Sequence, residues 1–293
     1  MPELPDITVY REALATRVVG HVLRGVHVGT PFVLRSVEPP LSAFTGRAIS
    51  DVERLGKRIV VVAEGELFLV IHLMIAGRLK WAPAGKKAPA KGGLASFEFD
   101  TGTLVLTEAG TKRRASLTAV AGREALRALD RGGLDVQQSS DAQLIARLRS
   151  ENHTLKRALT DPRLFDGIGN AYSDEMLHAA RLSPMQLTAR LGDDDASRLV
   201  AAIRSTLSAW TDRLRTEAAG GWPEKVTAFR PEMAVHGRFK LPCPVCGAPV
   251  QRIRYAENET NYCARCQTGG RLLADRAMSR LLKDDWPRSL DEQ

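Results

Sequence analysis

The chain has 293 residues, of which 44% are hydrophobic and 26% charged, and its formal net charge is +8. A chain of this length can bury a large core and is expected to divide into two or three domains. It contains no apolar run near the ~20 residues that a membrane-spanning helix needs. The acidic, proline-rich N-terminus resembles neither a signal nor a transit peptide. We therefore expect a protein of the cytoplasm or nucleoid.

The positive charge bears on partners rather than on fold. The isoelectric point is about 9.6, and lysine and arginine side chains bind nucleic acids by neutralising phosphates and releasing counterions. Net charge by itself informs on association only. Charge alone therefore leaves two alternatives open, a nucleic-acid-binding protein and an ordinary basic protein.

The first part of the chain predicts one helix followed by antiparallel strands. Asp6 is a suitable cap for a helix over residues 7–19, and Gly20 ends it. Apolar segments joined by short polar turns then predict hairpins of a sandwich or barrel. The predicted strands are residues 58–63, 67–75, 94–99 and 103–107. A basic segment over residues 82–93 predicts a flexible solvated loop.

From about residue 141 the hydrophobic pattern becomes helical. The predicted helices are residues 143–150, 155–159, 170–180, a long helix after the acidic run 193–195, and a basic helix over 272–283. The long helix carries an apolar stripe that is typical of a core-facing surface rather than of a cofactor site. Gly220 and Gly221 end it.

All four cysteines lie near the C-terminus. Two Cys-x2-Cys pairs, Cys243/Cys246 and Cys263/Cys266, are separated by sixteen residues. This spacing brings four thiolates around one tetrahedral metal ion, usually zinc. The alternative is two disulfides, which are typical of secreted proteins. The sequence favours one structural zinc ion.

Pro2 is a candidate nucleophile. Met1 before a small residue is normally removed, which would leave a secondary amine at the terminus. An α-amino group titrates near pH 8, so part of it is unprotonated at neutral pH and can attack a sugar C1′. Glu3 lies beside it as a candidate general acid. The alternative is an inert, disordered terminal proline.

Two further features are compatible with phosphate binding. Lys57 precedes an apolar strand, where it is either a solvated strand end or a point charge for a phosphate. Gly167-Ile168-Gly169-Asn170-Ala171-Tyr172 permits a tight turn before a helix whose N-terminal N–H groups bind anions. A plain connection between helices explains that segment equally well.

Five segments, taken in order, carry a resemblance to a known family. They are Met1-Pro2-Glu3-Leu4-Pro5, Leu55-Gly56-Lys57-Arg58, residues 167–175, His236-Gly237-Arg238 and Cys263-Ala264-Arg265-Cys266-Gln267. The chain resembles the Fpg/Nei family of bifunctional DNA glycosylases/AP lyases from its first residue to about Gln267. Members of this family flip a damaged base out of the stack and cut its glycosidic bond.

The resemblance implies an α+β multidomain fold. An N-terminal helix and antiparallel β-sandwich would form a catalytic domain over residues 1–134. A helix–two-turn–helix DNA-binding domain would span 135–234, and a β-hairpin zinc finger 235–270. A basic extension, residues 271–293, lies outside the resemblance.

The resemblance also implies roles for individual residues. Pro2 would be the Schiff-base nucleophile, Glu3 the general acid that assists opening of the sugar ring, and Lys57 and Asn170 would hold phosphates around the lesion. Lys156 and Arg238 are further expected DNA contacts. The zinc ion, held by the four cysteines, would be structural, and the partners would be damaged and abasic double-stranded DNA bound by a monomer.

The zinc hairpin departs from the family pattern at its tip. The family has an arginine five residues before the third cysteine, where this chain has Asn258, flanked by Glu257 and Glu259. Losing a charged contact costs about 1.5–3 kcal/mol. Arg252 and Arg254 are candidates to compensate from the other strand.

The expected wedge loops also differ. Ile75 takes the place of the family's void-filling methionine, with Met74 beside it, and no phenylalanine follows Arg113 and Arg114. An apolar wedge at Ile75 still fits insertion between base pairs, and Arg114 could fill the orphaned stack. Lesion preference does not carry over, because these loops and residues 217–231 determine it.

The sequence therefore predicts a base-excision-repair glycosylase that excises oxidised or ring-opened bases and then nicks the strand by β- or β,δ-elimination. One alternative is a binding protein of the same fold that senses abasic or damaged DNA with little turnover. Another is a zinc-ribbon adaptor with an inert N-terminus.

Overall fold

The chain forms two compact units. The computed structural model describes residues 1–86, 89, 92–109, 112–227, 229–255, 258–274 and 288–290. The N-terminal unit comprises Met1–Arg131 and Trp210–Thr227, and the C-terminal unit comprises Gly132–Ala209 and Ala228–Gln293. The segment Trp210–Thr227 thus belongs with the N-terminal unit, although the sequence-based ranges group it with the helical domain. No helix within the described ranges is long and apolar enough to span a bilayer.

Helix α1 spans Leu4–Val18 and begins earlier than the sequence predicts. Its N-cap is Glu3, and Asp6 occupies the third helical position. The Glu3 N–H donates to Asp6 Oδ2 at 2.9 Å, which forms half of a reciprocal capping box. Pro5 is tolerated in the first turn because an N–H there has no intrahelical partner. The prediction of Asp6 as the cap is therefore wrong, and Glu3 is fixed at the start of the helix.

Two four-stranded antiparallel sheets follow, in the orders β1-β6-β7-β5 and β2-β3-β4-β8. The strands are β1 (Leu23–Val28), β2 (Ile49–Leu55), β3 (Arg58–Ala63), β4 (Leu67–His72), β5 (Gly77–Ala82), β6 (Gly93–Phe99), β7 (Thr103–Glu108) and β8 (Ser116–Ala121). The predicted hairpins β3–β4 and β6–β7 are confirmed. The predicted basic loop 82–93 lies partly outside the described residues.

The two faces of strand β3 explain its uninterrupted apolar sequence. Ile59 and Val61 face the main core, which both sheets and α1 share. Val60 and Val62 pack on the opposite face in a smaller cluster with Leu126, which belongs to the short helix α2 (Arg123–Arg127). A strand buried on both faces reads as a continuous hydrophobic run.

An aromatic cluster attaches the segment Trp210–Thr227 to the sandwich. The Trp222 ring centroid lies 5.6 Å from that of Tyr10 and 6.0 Å from that of Trp81. Trp222 Nε1–H donates to the Leu79 carbonyl at 3.0 Å. The Arg17 guanidinium lies 5.6 Å from the centroid of the Trp222 ring, within cation–π range.

We expect Trp222→Ala to lower the free energy of unfolding of the N-terminal unit by about 2–3 kcal/mol, because a large packed ring is lost. Trp222→Phe keeps most of the ring contact and loses only the hydrogen bond, at a cost of about 1 kcal/mol. Urea unfolding followed by circular dichroism measures both. Equal midpoints for wild type and Trp222→Ala would show that the cluster does not hold the segment.

The C-terminal unit contains the predicted helices and the zinc hairpin. Its elements are α3 (Asp141–Arg149), α4 (Leu155–Thr160), α5 (Asn170–Ala179), α6 (Asp193–Ala218, whose last part belongs to the N-terminal unit), β9 (Val250–Tyr255), β10 (Asn258–Cys263) and α7 (Ala264–Thr268). Ser140 and Thr154 cap α3 and α4 with their hydroxyls. The α+β fold with a helical domain and a hairpin zinc finger is confirmed.

Part of the C-terminal extension packs against the hairpin. Leu272 and Leu273 are buried in one cluster with Ile253 and Tyr262. The Leu273 N–H donates to the Tyr262 hydroxyl at 2.7 Å. The predicted basic helix 272–283 lies mostly outside the described residues, and its first residues are not helical.

Candidate functional site

The N-terminal amine lies in a cluster of charged groups at the start of α1. Pro2 is buried, and Glu3 is only 2% exposed. Burial lowers the pKa of the Met1 amine; Arg78 and Lys57 lower it further, whereas Glu3 and Asp6 act in the opposite direction. A site that desolvates an amine in this way favours the unprotonated form that a nucleophile requires.

Lys57 belongs to this cluster. With Gly56 it forms the two-residue turn between β2 and β3, and the φ of +64° at Gly56 is one that glycine adopts without strain. The Lys57 charge acts on the terminal amine and also on His72. The structure thus brings Lys57 to Glu3 and the N-terminus, from which it is far apart in sequence.

The sequence predicts a role neither for Arg78, which belongs to the cluster, nor for His72, which lies near Lys57. Burial lowers the pKa of His72 to about 4, and the charges of Arg58, Lys57 and Arg131 act in the same direction. The imidazole is therefore neutral at pH 7 and offers hydrogen bonds rather than charge. Pairing of β3 with β4 creates this environment, so no local sequence signal identifies it.

The turn between β4 and β5 presents Ile75 to solvent. Ile75 is 54% exposed, and Leu73 before it is buried. Met74 has a φ of +53°, which is uncommon for a residue with a side chain. Arg78 Nη1 donates to the Ile75 carbonyl at 3.1 Å, and a Cβ on Gly77 would collide with the Leu73 carbonyl group. The apolar tip is therefore held in one tight conformation.

A buried carboxylate, Glu108, shapes the neighbouring loop. Glu108 Oε2 accepts from the Arg114 N–H at 2.9 Å and from the Ala115 N–H at 3.1 Å. Arg113 and Arg114 are exposed. Because Glu108 at the end of β7 pairs with Gly77 at the start of β5, the two predicted wedge segments lie at the same end of these neighbouring strands.

In the C-terminal unit, Asn170 begins α5 and meets the zinc hairpin. Its Nδ2–H donates to the Glu259 carbonyl of β10 at 2.9 Å. Lys156 lies beneath this N-terminus with a 12% exposed side chain. Its ammonium donates to the Asn170 carbonyl at 2.6 Å, to Ser173 Oγ at 2.8 Å and to Asp174 Oδ1 at 2.5 Å. An ammonium has three donors, and all three are used within the protein.

Asp174 and Glu175 connect α5 to the segment before the zinc finger. Asp174 Oδ2 accepts from His236 Nδ1 at 2.7 Å and from the Asn261 N–H at 3.1 Å. Glu175 accepts from the backbone N–H groups of residues 234, 235 and 236 at 2.6–2.9 Å. Burial raises the pKa of Glu175, and these hydrogen bonds oppose the shift. The sequence predicts no role for Asp174 and Glu175 beyond their place in the segment 167–175.

The four cysteines form one cluster. Their sulfur atoms all lie within 4.8 Å of one another. Cys246 and Cys263 are 3.4 Å apart and Cys243 and Cys266 3.9 Å apart. A disulfide needs about 2.05 Å, so the disulfide alternative does not hold. Four thiolates at ~2.3 Å from a tetrahedral zinc ion would be about 3.8 Å apart, which the cluster fits.

The hairpin tip carries an exposed, uncharged Asn258. The next residue, Glu259, lies opposite Arg254 across the hairpin and 3.6 Å from Arg252. The Arg252 guanidinium also lies 4.0 Å from the centroid of the Phe239 ring. Arg254 is the more exposed of the two arginines. Glu257 lies outside the described residues.

Arg238, another predicted DNA contact, points into the protein. Its Nη1 donates to the Pro231 carbonyl at 2.7 Å and its Nη2 to the Pro242 carbonyl at 3.3 Å. These bonds join the segment before the finger to the first cysteine knuckle. The arginine is half-buried.

We expect Asp174→Asn to lower the free energy of unfolding of the C-terminal unit by about 3 kcal/mol, because it leaves the buried Lys156 ammonium without its charge partner. Asp141→Asn is the matched control. Asp141 pairs with Arg204 but is 69% exposed, so its loss should cost less than about 1 kcal/mol. Equal urea-unfolding midpoints for the two variants would contradict the assignment.

Three family models match the chain in order. They are the formamidopyrimidine-DNA glycosylase N-terminal domain over residues 1–116, the formamidopyrimidine-DNA glycosylase H2TH domain over 133–214, and a zinc finger found in FPG and IleRS over 240–269. The third match covers all four cysteines.

Similar proteins extend this comparison over the chain. An uncharacterized formamidopyrimidine-DNA glycosylase-like protein of Mycobacterium tuberculosis is 41% identical over 164 residues, covering 56% of this chain and all of its own. The formamidopyrimidine-DNA glycosylase of Thermus thermophilus is 33% identical over 286 residues, covering 92% of this chain and all of its own.

A solved complex between Lactococcus lactis Fpg and DNA containing an abasic site superposes with a TM-score of 0.79 at 23% identity. The superposition covers 91% of this chain and 99% of that chain. At this identity the likeness shows the fold.

Proposed function

Because the chain belongs to the formamidopyrimidine-DNA glycosylase family, we propose that it is a bifunctional enzyme of base excision repair. It excises oxidised or ring-opened bases through a Schiff base at Pro2 and then nicks the strand by β- or β,δ-elimination. The substrate is damaged or abasic double-stranded DNA, bound by a monomer in the cytoplasm or nucleoid. The observation that carries this proposal is the arrangement at the N-terminus, where buried Pro2 and Glu3 lie at the start of α1 within reach of the charges of Lys57 and Arg78.

The chemistry begins when removal of Met1 leaves the secondary amine of Pro2 as the terminus. Its lone pair attacks C1′ of the damaged nucleotide, and the glycosidic bond breaks as the base leaves with the bonding electrons and takes up a proton. Glu3 donates a proton to the ring oxygen as the sugar opens. The resulting iminium acidifies the C2′ proton, whose removal expels the 3′ phosphate and cuts the strand.

The surrounding residues position the DNA. Lys57 and Asn170 contact backbone phosphates, whereas the satisfied ammonium of Lys156 supports Asn170 from below. Ile75 and Met74 form an apolar wedge, and Arg113 and Arg114 fill the space left in the stack. Arg238 contributes by holding the segment before the finger.

The zinc ion has a structural role. Held by Cys243, Cys246, Cys263 and Cys266, it closes the knuckles that support the β9–β10 hairpin. Burial raises the pKa of Cys263 to about 11. A divalent cation bound at this cluster would hold the Cys263 thiol in its deprotonated form at neutral pH.

The uncharged tip supports one alternative, a sensor of abasic or damaged DNA with little turnover. Asn258 offers a hydrogen bond where a charge would bind phosphate more strongly. In the catalytic proposal Arg254 supplies that charge from the opposite strand of the hairpin.

Borohydride trapping on duplex DNA with an abasic site tests the nucleophile. We expect a covalent adduct with the wild type and none with Pro2→Glu, because this change removes the secondary amine and the retained Met1 moves the terminal amine one residue away from the position of attack. Glu3→Gln keeps the amine, so it should still trap a preformed abasic site while base excision falls about 10²–10⁴-fold. An adduct with Pro2→Glu, or none with the wild type, would refute the mechanism and favour the sensor.

The salt dependence of binding to abasic duplex DNA tests the hairpin tip. Arg254→Ala should weaken binding and reduce the slope of log K against log [salt] by about 1, because one phosphate contact is lost. Asn258→Arg should strengthen binding and raise the slope by a similar amount. Asn258→Gln is the uncharged control. Unchanged slopes in both charge variants would show that the tip contacts no phosphate.

A further inference from the structure

His178 connects the zinc cluster to the helix that begins at Asn170. It lies in the last turn of α5, and the residue is 6% exposed. Its Nε2 lies 3.2 Å from Cys243 Sγ, and Cys243 is itself 2% exposed. The contact joins two elements that are 65 residues apart in sequence.

The chemistry of the pair determines the direction of this hydrogen bond. A metal-bound cysteine is a thiolate and can only accept, so the imidazole must carry its proton on Nε2 and donate. Four thiolates around one divalent cation leave two uncompensated negative charges. An N–H donor aimed at one sulfur spreads that charge and fixes the orientation of the ligand.

The helix that carries His178 makes several further contacts with the zinc finger. On the same helix, Asn170 contacts the Glu259 carbonyl, Asp174 the Asn261 N–H, and Glu175 the backbone before the finger. At the other end of the finger, Gln267 Nε2–H donates to the Leu182 carbonyl just beyond α5. The zinc finger and the segment before it are therefore held against α5 from its first turn to its last.

We propose that His178 is a positioning residue of the zinc site, which donates its Nε2–H to the Cys243 thiolate and so fixes the first knuckle to α5. The inference concerns metal retention and is independent of the proposed catalysis.

Release of zinc to a chelator, measured on the purified full-length chain, tests the role. His178→Phe keeps a buried ring and removes the donor, so zinc should be lost about tenfold faster or more. His178→Gln places an amide N–H near the same sulfur and should retain zinc almost as the wild type does. His153→Phe, a histidine change in the same unit beside Glu151, is the matched control and should not alter retention.

Cobalt substitution separates the hydrogen bond from packing. The sulfur-to-cobalt charge-transfer band should shift in His178→Phe and keep its wild-type position in His178→Gln, because only the former changes the charge on the thiolate. His178→Met provides the same comparison if the phenylalanine ring prevents folding. The proposal would be overturned if His178→Phe (or His178→Met) released zinc at the wild-type rate and left the band unshifted. It would also be overturned if His178→Gln behaved in the same way as these variants.

Discussion

The arrangement of the C-terminal unit depends on the buried carboxylate of Asp174. A carboxylate without solvent contact is tolerated only when hydrogen bonds and opposite charge replace its hydration. Here Lys156, His236 and Asn261 supply those partners from α4, from the segment before the finger and from β10. Moving any of the three segments would leave a charge unsatisfied. One side chain therefore specifies the mutual placement of Asn170 and the zinc hairpin, which a small apolar core alone would leave less defined.

The N-terminal unit applies a related constraint to its terminus. Chain ends are usually disordered, but here the capping box of Glu3 and Asp6 makes the terminus the start of α1. The Met1 amine is thereby carried into a partly desolvated site, where burial is the main cause that favours its neutral form and the positive charges of Arg78 and Lys57 act in the same direction. The same positive groups suit the phosphates of a nucleic-acid ligand. Arg78 and Lys57 would thus favour both a neutral amine and the approach of phosphates, although burial is the larger cause of the lowered pKa.

The sequence predicted the features that depend on local pattern. The range of β3, the start of α5 and the cysteine cluster follow from periodicity, turn residues and ligand spacing, and all are present in the structure. Asp6 was misplaced as a cap because side-chain propensity does not distinguish the N-cap from the third helical position. His72, Glu108 and His178 were missed because their environments exist only after distant strands and helices pair. The return of Trp210–Thr227 to the sandwich depends likewise on tertiary contacts of Trp222, which no periodicity encodes.

The turn at Met74 and Ile75 has a consequence for how an apolar tip would enter a base stack. This turn has little conformational freedom before any ligand binds. Met74 has a positive φ, Gly77 lies against the Leu73 backbone, and Arg78 donates a hydrogen bond to the Ile75 carbonyl. The conformational entropy of this turn is lost when the protein folds, so DNA binding would not have to order the turn again. A preorganised tip of this kind does not adapt to the helix it meets. The free-energy cost of insertion is then determined by the unstacking of the DNA, and this cost is smallest where a base pair is already poorly stacked.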